Sequence, residues 1–295
     1  MISLYIQREE NAAISVVIPT LGGDILIGTI EQLNRGTVVP TEILVCIPVE
    51  DAFRVANMSF HNLRVIRTDC RGQVAQRAEG FKQASCKYVL QLDDDVVVHY
   101  QCLEKLVLFM ESRNDKCAIS PAIRFIDSDK TVYPQPPNTF LSRTYYYLIN
   151  GANGYKPGTI TKAGTEIGVD PTHLEFEFVE VEWLPGGCVL HSRENLILHN
   201  FYPLRGKAFC EDLYHTSLLA KNGIKLFIAG KAIVWIDDPR KQNKLQRFSL
   251  KDIRLDYRAR KLYLKKLTKS LFWMNIYYIL VVLMGLEKSK RVSGK

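Results

Sequence analysis

The run Tyr88-Val89-Leu90-Gln91-Leu92 stops abruptly at three consecutive carboxylates, Asp93-Asp94-Asp95. An apolar run of this kind reads as a buried strand. Its C-terminal end then delivers negative charge into a cleft, the place where ligands of open α/β sheets bind. Adjacent aspartates repel one another, and a fold tolerates them best when a cation offsets the charge. The alternative is a solvated turn, since Asp is a common turn residue. The rest of the chain has to separate the two.

The flanking pattern alternates. Ile14–Pro19, 42–47, 63–67 and 118–125 read as further strands, while 24–35, 72–85 and 100–112 read as helices. Val74, Ala78 and Phe81 mark one helix face, and Leu103, Leu106, Val107 and Met110 mark another. This order predicts a mostly parallel sheet with helices on both faces. From 127 to 180 the pattern loosens around Pro134, Pro136, Pro137 and several glycines, which predicts a long functional loop. Strand character resumes over 181–190 around Pro185-Gly186-Gly187. A helix is expected over 212–222, closed by Asn222-Gly223, and two strands over 225–229 and 232–236.

Charge is uneven. Residues 240–269 hold twelve Lys/Arg against two Asp/Glu, and 270–295 hold four against one, so 1–239 carry 23 basic and 28 acidic residues. The body is therefore mildly acidic, which argues against nucleic-acid binding there. Seven widely spaced cysteines without a C-x-x-C argue against a disulfide framework or a structural zinc site, and imply a reducing compartment. The stretch MISLYIQREENAAIS lacks the apolar core of a signal peptide.

Four local features recur in an informative order: Pro19-Thr20 after the first strand, Gly72 and Arg77 at a helix start, Asp93-Asp94-Asp95, and Glu211-Asp212 behind the Gly186-Gly187 turn. Together they resemble family 2 glycosyltransferases of the GT-A fold, over roughly residues 12–238. The resemblance implies a single GT-A-type, Rossmann-like α/β domain with a mixed, mostly parallel sheet. It would occupy 1–238, with a nucleotide-binding half over 12–125 and an acceptor half over 126–238. A basic C-terminal segment, 239–295, would follow.

The resemblance also implies an activity, transfer of a sugar from a nucleotide-sugar to an acceptor hydroxyl, with inversion. Negative charge develops on the leaving diphosphate, and Mn2+ or Mg2+ would stabilise it. Asp93 would face the nucleoside, Asp95 the metal, and Asp94 has no assigned role. Pro19, Thr20, Gly72 and Arg77 would line the donor. The acidic residue after the second strand is Glu50, with Asp51 as its rival. Asp212 would be the base that activates the acceptor, with Glu211 as backup. Trp183, Gly186 and Gly187 would line the sugar side, with Trp183 as core the competing reading. Asp237 or Asp238 would stand where many relatives have a metal-ligating His. His215 reads as packing or an acceptor contact. A UDP-sugar is favoured as donor, with GDP or dTDP as alternatives. The acceptor would be a glycan or a lipid-linked precursor.

Within 240–269, Leu250, Ile253, Tyr257, Leu264, Leu267 and Leu271 recur at helical spacing beside the basic residues and run into the apolar stretch 271–286. This predicts a basic amphipathic helix that anchors the protein on the inner, cytoplasmic face of an anionic membrane. A tilted span and a helix packed on the body are the alternatives. Among other functions, a sugar-nucleotide-forming nucleotidyltransferase would need a basic glycine loop after the first strand, and Leu21-Gly22-Gly23-Asp24 has no Lys or Arg. An inactive membrane-docked scaffold would have no reason to keep Asp93, Asp95 and Asp212.

Overall fold

A computed structural model describes residues 13–170, 177–204, 207–238 and 250–293. The N-terminal residues 1–12 and the first part of the basic segment, 239–249, lie outside the described residues, as do 171–176 of the loosened stretch. Contacts gather the chain into two compact units, 1–132 with 170–245, and 133–169 with 246–295. Residues 133–169, read above as part of the acceptor half, thus group with the C-terminal segment.

The first unit is built on a nine-stranded sheet. Its strands are β1 (Ile14–Pro19), β2 (Glu42–Pro48), β3 (Leu63–Thr68), β4 (Tyr88–Leu92), β5 (Val97–Val98), β6 (Cys117–Phe125), β7 (Phe178–Val181), β8 (Cys188–Ser192) and β9 (Lys225–Ile236). The order is β3-β2-β1-β4-β8-β6-β9-β5, with β7 also on β9. β3, β2, β1 and β4 pair in parallel, as do β6 and β9, while β8 runs against both β4 and β6. β5 and β7 run against β9. The sheet is mixed and mostly parallel, as the alternation predicts.

Both faces are covered. Along β1 the side chains alternate: Val16 and Ile18 join one buried cluster with Leu26, Ile30 and Leu33 of α1 (Asp24–Asn34) and Leu103, Leu106 and Val107 of α3 (Cys102–Glu111). Val17 joins another cluster, with Leu44, Cys46, Val89 and Phe81 of α2 (Gln73–Gln83). A strand buried on both sides needs no polar alternation, which is why these runs are almost wholly apolar. Each such buried aliphatic side chain contributes about 1.5–3 kcal/mol. The two strands expected over 225–236 are one strand interrupted. Against β6 the register jumps from Pro121↔Ala229 to Ala122↔Ile233, so Gly230, Lys231 and Ala232 bulge. Helix α5 (Glu211–Lys221) ends at Asn222 and Gly223, the latter at φ 74°.

The second unit holds α4 (Phe140–Asn150), α6 (Leu250–Lys266) and α7 (Phe272–Ser293). Two expectations are corrected here. The loosened stretch contains a helix, α4, started by a capping box in which Thr139 and Ser142 satisfy each other's backbone N–H groups. The basic helix does not run into the apolar stretch. It stops at Lys266, and Thr268 takes a left-handed φ of 54° before α7 begins. Arg260 of α6 is buried, donating to the Gly164 carbonyl and pairing with Glu166 at 3.3 Å and Asp256 at 3.4 Å. The Tyr278 hydroxyl of α7 donates to Asp256 at 2.7 Å. Among the described residues no helix is long and apolar enough to cross a membrane, so the tilted span finds no support.

Candidate active site

The C-terminal ends of β1, β2 and β4 form one edge. Thr20 closes β1; its hydroxyl donates to the Asp94 carboxylate and accepts from the Gly22 N–H at 2.9 Å. The Thr29 hydroxyl of α1 donates to the Asp94 carbonyl at 2.8 Å. Asp94, unassigned from sequence, therefore ties the aspartate turn to β1 and α1. The Gln76 side-chain amide of α2 donates to the carbonyls of Thr20 (2.7 Å) and Cys46 (2.8 Å) and clamps the β1 and β2 ends together. Gly72, at φ 135°, has nothing near the place of a Cβ, and its N–H donates to Gln76 Oε1 at 3.1 Å.

After β2, Val49–Val55 forms a short 3-10 helix. Asp51 is buried there and receives Arg71 at 2.7 Å, with Arg54 at 3.6 Å, whereas the Glu50 side chain is 60% exposed and only 3.4 Å from Arg71. The two candidate carboxylates thus differ. Asp51 is held by cations at the strand end, and Glu50 faces solvent.

Arg77 is 1% exposed. One of its terminal nitrogens lies 3.0 and 3.1 Å from the two Glu211 oxygens, and the other lies 3.4 Å from Asp93 Oδ1. Burial opposes its charge, but Glu211 and then Asp93 outweigh that and raise its pKa. Gln73 donates to Asp93 Oδ1 at 2.7 Å. Burial pushes the Asp93 carboxyl up to about 6; Arg77 pulls it down, Glu211 and Asp95 push it up, and the Gln73 hydrogen bond lowers it. Arg77 and Glu211 are therefore committed to each other inside the protein.

The antiparallel β8 brings the Gly186-Gly187 turn to this edge. Leu92 of β4 faces Cys188 of β8, and the Asp93 N–H donates to the Gly187 carbonyl at 2.9 Å. A Cβ on Gly186 would lie 2.3 Å from Asp212 Oδ1 and 2.8 Å from Glu211 Oε1, while one on Gly187 would lie 3.5 Å from Asp93 Oδ2. The turn thus passes between the two carboxylate groups without a side chain of its own. Asp212 stands in the first turn of α5, where the helix dipole favours an anion. Cys210 just before it takes a left-handed φ of 57°.

Asp95 is solvent-accessible, and its pKa is raised by desolvation, then by the charges of Asp94 and Asp237. The β5–β9 register, Val97↔Trp235, extends to place Asp95 across from Asp237. Asp237 is exposed and Asp238 is buried. Among the described residues no three His, Cys, Asp or Glu side chains converge into a ready-made metal cage. Crowded, accessible carboxylate oxygens nevertheless fit a hard divalent cation that also takes oxygens from a bound diphosphate. Trp183 is buried at 6% exposure, with its ring inside the protein.

A comparison with protein families matches residues 15–165, just over half of the chain, to "Glycosyl transferase family 2". The chain belongs to this family. The matched stretch carries Thr20, Arg77 and the aspartate turn; the Gly186-Gly187 turn and Asp212 lie beyond it. Family membership supports sugar transfer over nucleotidyl transfer. Among solved structures, the chain is similar to GalNAc-T7, crystallised with UDP, GalNAc and Mn2+. That match has a TM-score of 0.54 and 16% identity, and covers 78% of this chain and 44% of that one. The family 2 chain thus spans less than half of that neighbour, and the likeness is one of fold. A match to residues 1–349 of S. aureus TarS has a TM-score of 0.46 and 13% identity, covering 84% and 65% of the two chains. No curated protein sequence matches the chain.

Sequence reasoning missed Gln73, Gln76 and Thr29 as parts of this edge. Gln73 and Gln76 share the first turn of α2 one helical step apart, on the side of Arg77, and that spacing was the available signal. His215 is buried between His191 and Phe201; its ring stacks on Phe201 with centroids 5.3 Å apart.

Proposed function

We propose that this family 2 protein transfers a sugar from a nucleotide-sugar to an acceptor hydroxyl by a single in-line displacement with inversion. The carrying observation is the Gly186-Gly187 turn, with Asp212 against one glycine and Asp93 against the next. One carboxylate belongs to the strand edge where a nucleotide would lie, the other to the first turn of a helix facing it. Asp212 takes the proton of the acceptor hydroxyl as that oxygen attacks the anomeric carbon. The bond from that carbon to the diphosphate oxygen breaks, and the nucleoside diphosphate leaves. With one base opposite the leaving group, no covalent sugar–enzyme intermediate is needed.

Glu211 holds Arg77, and Arg77 in turn faces Asp93, so the base helix and the donor edge are set by one buried ion cluster. Asp51 and Thr20 would border the nucleoside. A Mg2+ or Mn2+ ion, held by Asp95 with Asp93 and Asp237 nearby, would supply positive charge for the leaving diphosphate. The Mn2+ and UDP bound to GalNAc-T7 support this choice of cation and a UDP-sugar as the first donor to test.

The acceptor is proposed to be a glycan or lipid-linked precursor at an anionic membrane surface on its cytoplasmic side. Lys251, Arg254, Arg258 and Lys265 are exposed at helical spacing on α6, and Phe272, Ile279, Val282 and Leu283 are exposed on α7. Together they offer the charge and apolar area that such a surface recognises. Nucleoside diphosphate release from UDP-, GDP- and dTDP-sugars, with Mn2+ or Mg2+ and a lipid-linked acceptor, tests the activity. Product NMR then reads the anomeric configuration. No release above background from any donor would sink the reading, and a retained configuration would sink the single displacement.

A further inference from the structure

A hollow of about 380 Å3 opens between α4 and the segment leading into it. Pro134, Gln135, Asn138, Ser142, Tyr145 and Tyr146 line it, and all belong to the second unit. No lining side chain carries a formal charge. The rings are held in place. Tyr146 meets Tyr155 edge-on with centroids 4.8 Å apart and Tyr145 at 5.2 Å, and the Tyr155 hydroxyl donates to the Pro134 carbonyl at 3.1 Å. The capping box at Thr139 and Ser142 fixes where α4 starts, and so fixes the tyrosines one turn later.

This combination has a specific chemical match. A pyranose presents an apolar C–H face and a rim of hydroxyls. Fixed aromatic rings take the face, and side-chain amides and hydroxyls take the rim. A wall without charge offers no partner for a phosphate or carboxylate, whose desolvation would then be unpaid.

We propose that this hollow is a binding site for a neutral glycan, the growing or receiving chain, built from residues other than the proposed transfer carboxylates. The choice of a glycan among neutral ligands rests on the sugar-transfer reading.

Saturation-transfer NMR on the full chain, without donor or metal, tests this with maltotriose, cellotriose, mannotriose and chitotriose as probes. Transfer to the ring protons of at least one probe is expected. Tyr146→Ala should weaken that binding about tenfold, whereas Tyr146→Phe, which keeps the ring, should hold it within about threefold. The exposed Asn138 gives a second variant, Asn138→Ala, which leaves the ring packing intact and should also weaken binding. Nucleoside diphosphate release to water should be unchanged in all of these. Binding that survives both alanine variants places the glycan elsewhere and overturns the proposal, as does silence from every probe. Glycan binding without turnover of any donor would instead remove the transfer reading and leave this site standing.

Discussion

Arg77 Nη1 lies 3.0 Å from Oε1 and 3.1 Å from Oε2 of Glu211, a residue 134 positions away in sequence. This buried pair joins α2, which flanks the edge formed by β1, β2 and β4, to the start of α5, which carries Asp212. Removing one partner of such a pair leaves an uncompensated charge. Arg77→Met should therefore cost about 3–5 kcal/mol of stability, read from urea unfolding. A loss below about 1 kcal/mol would mean that the pair does not hold the two helices.

Gly186 and Gly187 separate by what stands behind each. Gly186→Ala would put a methyl group against Asp212 Oδ1 and 2.8 Å from Glu211 Oε1, and should displace both carboxylates. Misplacing a reacting group by about 1 Å costs on the order of a hundredfold in rate, so transfer should fall by that much while the fold persists by circular dichroism. Gly187→Ala meets only ordinary contacts at 3.5 Å and should stay near wild type. Equal effects at the two positions would contradict the geometry.

Asp212→Asn keeps the shape and removes the base. Transfer should drop roughly 10²- to 10⁴-fold, with donor affinity by calorimetry unchanged. A fully active variant would move the base elsewhere, with Glu211 already committed to Arg77.

Much of the first unit was legible because burial on both faces writes continuous apolar runs, and amphipathic helices separate them. The site was less legible. Thr20, Asp93 and Arg77 follow one another along the first half, but nothing local says that β8 enters between β4 and β6 in reverse. That placement sets Gly187 beside Asp93. Helix α4 escaped because Phe140, Thr144, Tyr145, Tyr146 and Tyr147 are poor helix formers and follow three prolines. Only the Thr139–Ser142 cap announces it. Glu50 and Asp51 are adjacent in sequence, and position alone does not show that Asp51 is buried against Arg71 while Glu50 faces solvent.

Two histidines set an acid limit. Burial, then Arg77, pushes His191 down to about 3, and burial, then His191 and Arg77, pushes His215 well below its ordinary value. Both stay neutral when folded and gain a proton on unfolding below about pH 6.5. Their contribution to stability is thus present above that pH and is lost as pH falls, at up to about 1.4 kcal/mol per pH unit for each. Asp93, raised in the fold, works in the opposite sense between about 6 and 3.8 and offsets part of the slope. His191→Phe should flatten the fall between pH 6 and 4 by about one proton in urea titrations. An unchanged slope would assign the acid sensitivity to other groups.

Charge reversal at Lys251, Arg254, Arg258 and Lys265 should release the protein from anionic vesicles in flotation assays, with no change on neutral vesicles. Each lost cation near the surface removes about 1 kcal/mol. Unaltered flotation would assign binding to the exposed apolar face of α7, and no flotation of the unaltered protein would sink the membrane reading.

The reversed strand β8 has a consequence for how this chain can be divided. Residues 15–165, the stretch shared with the family, end before β8 begins. In the sheet β8 is the strip that joins β4 to β6. A fragment truncated after residue 165 would lose β7, β8 and β9, baring one border of β4 and leaving β5 and β6 without strand partners, edges that invite association with other chains. The matched segment therefore does not hold a complete sheet; β8 and β9 beyond it supply the strands that close it.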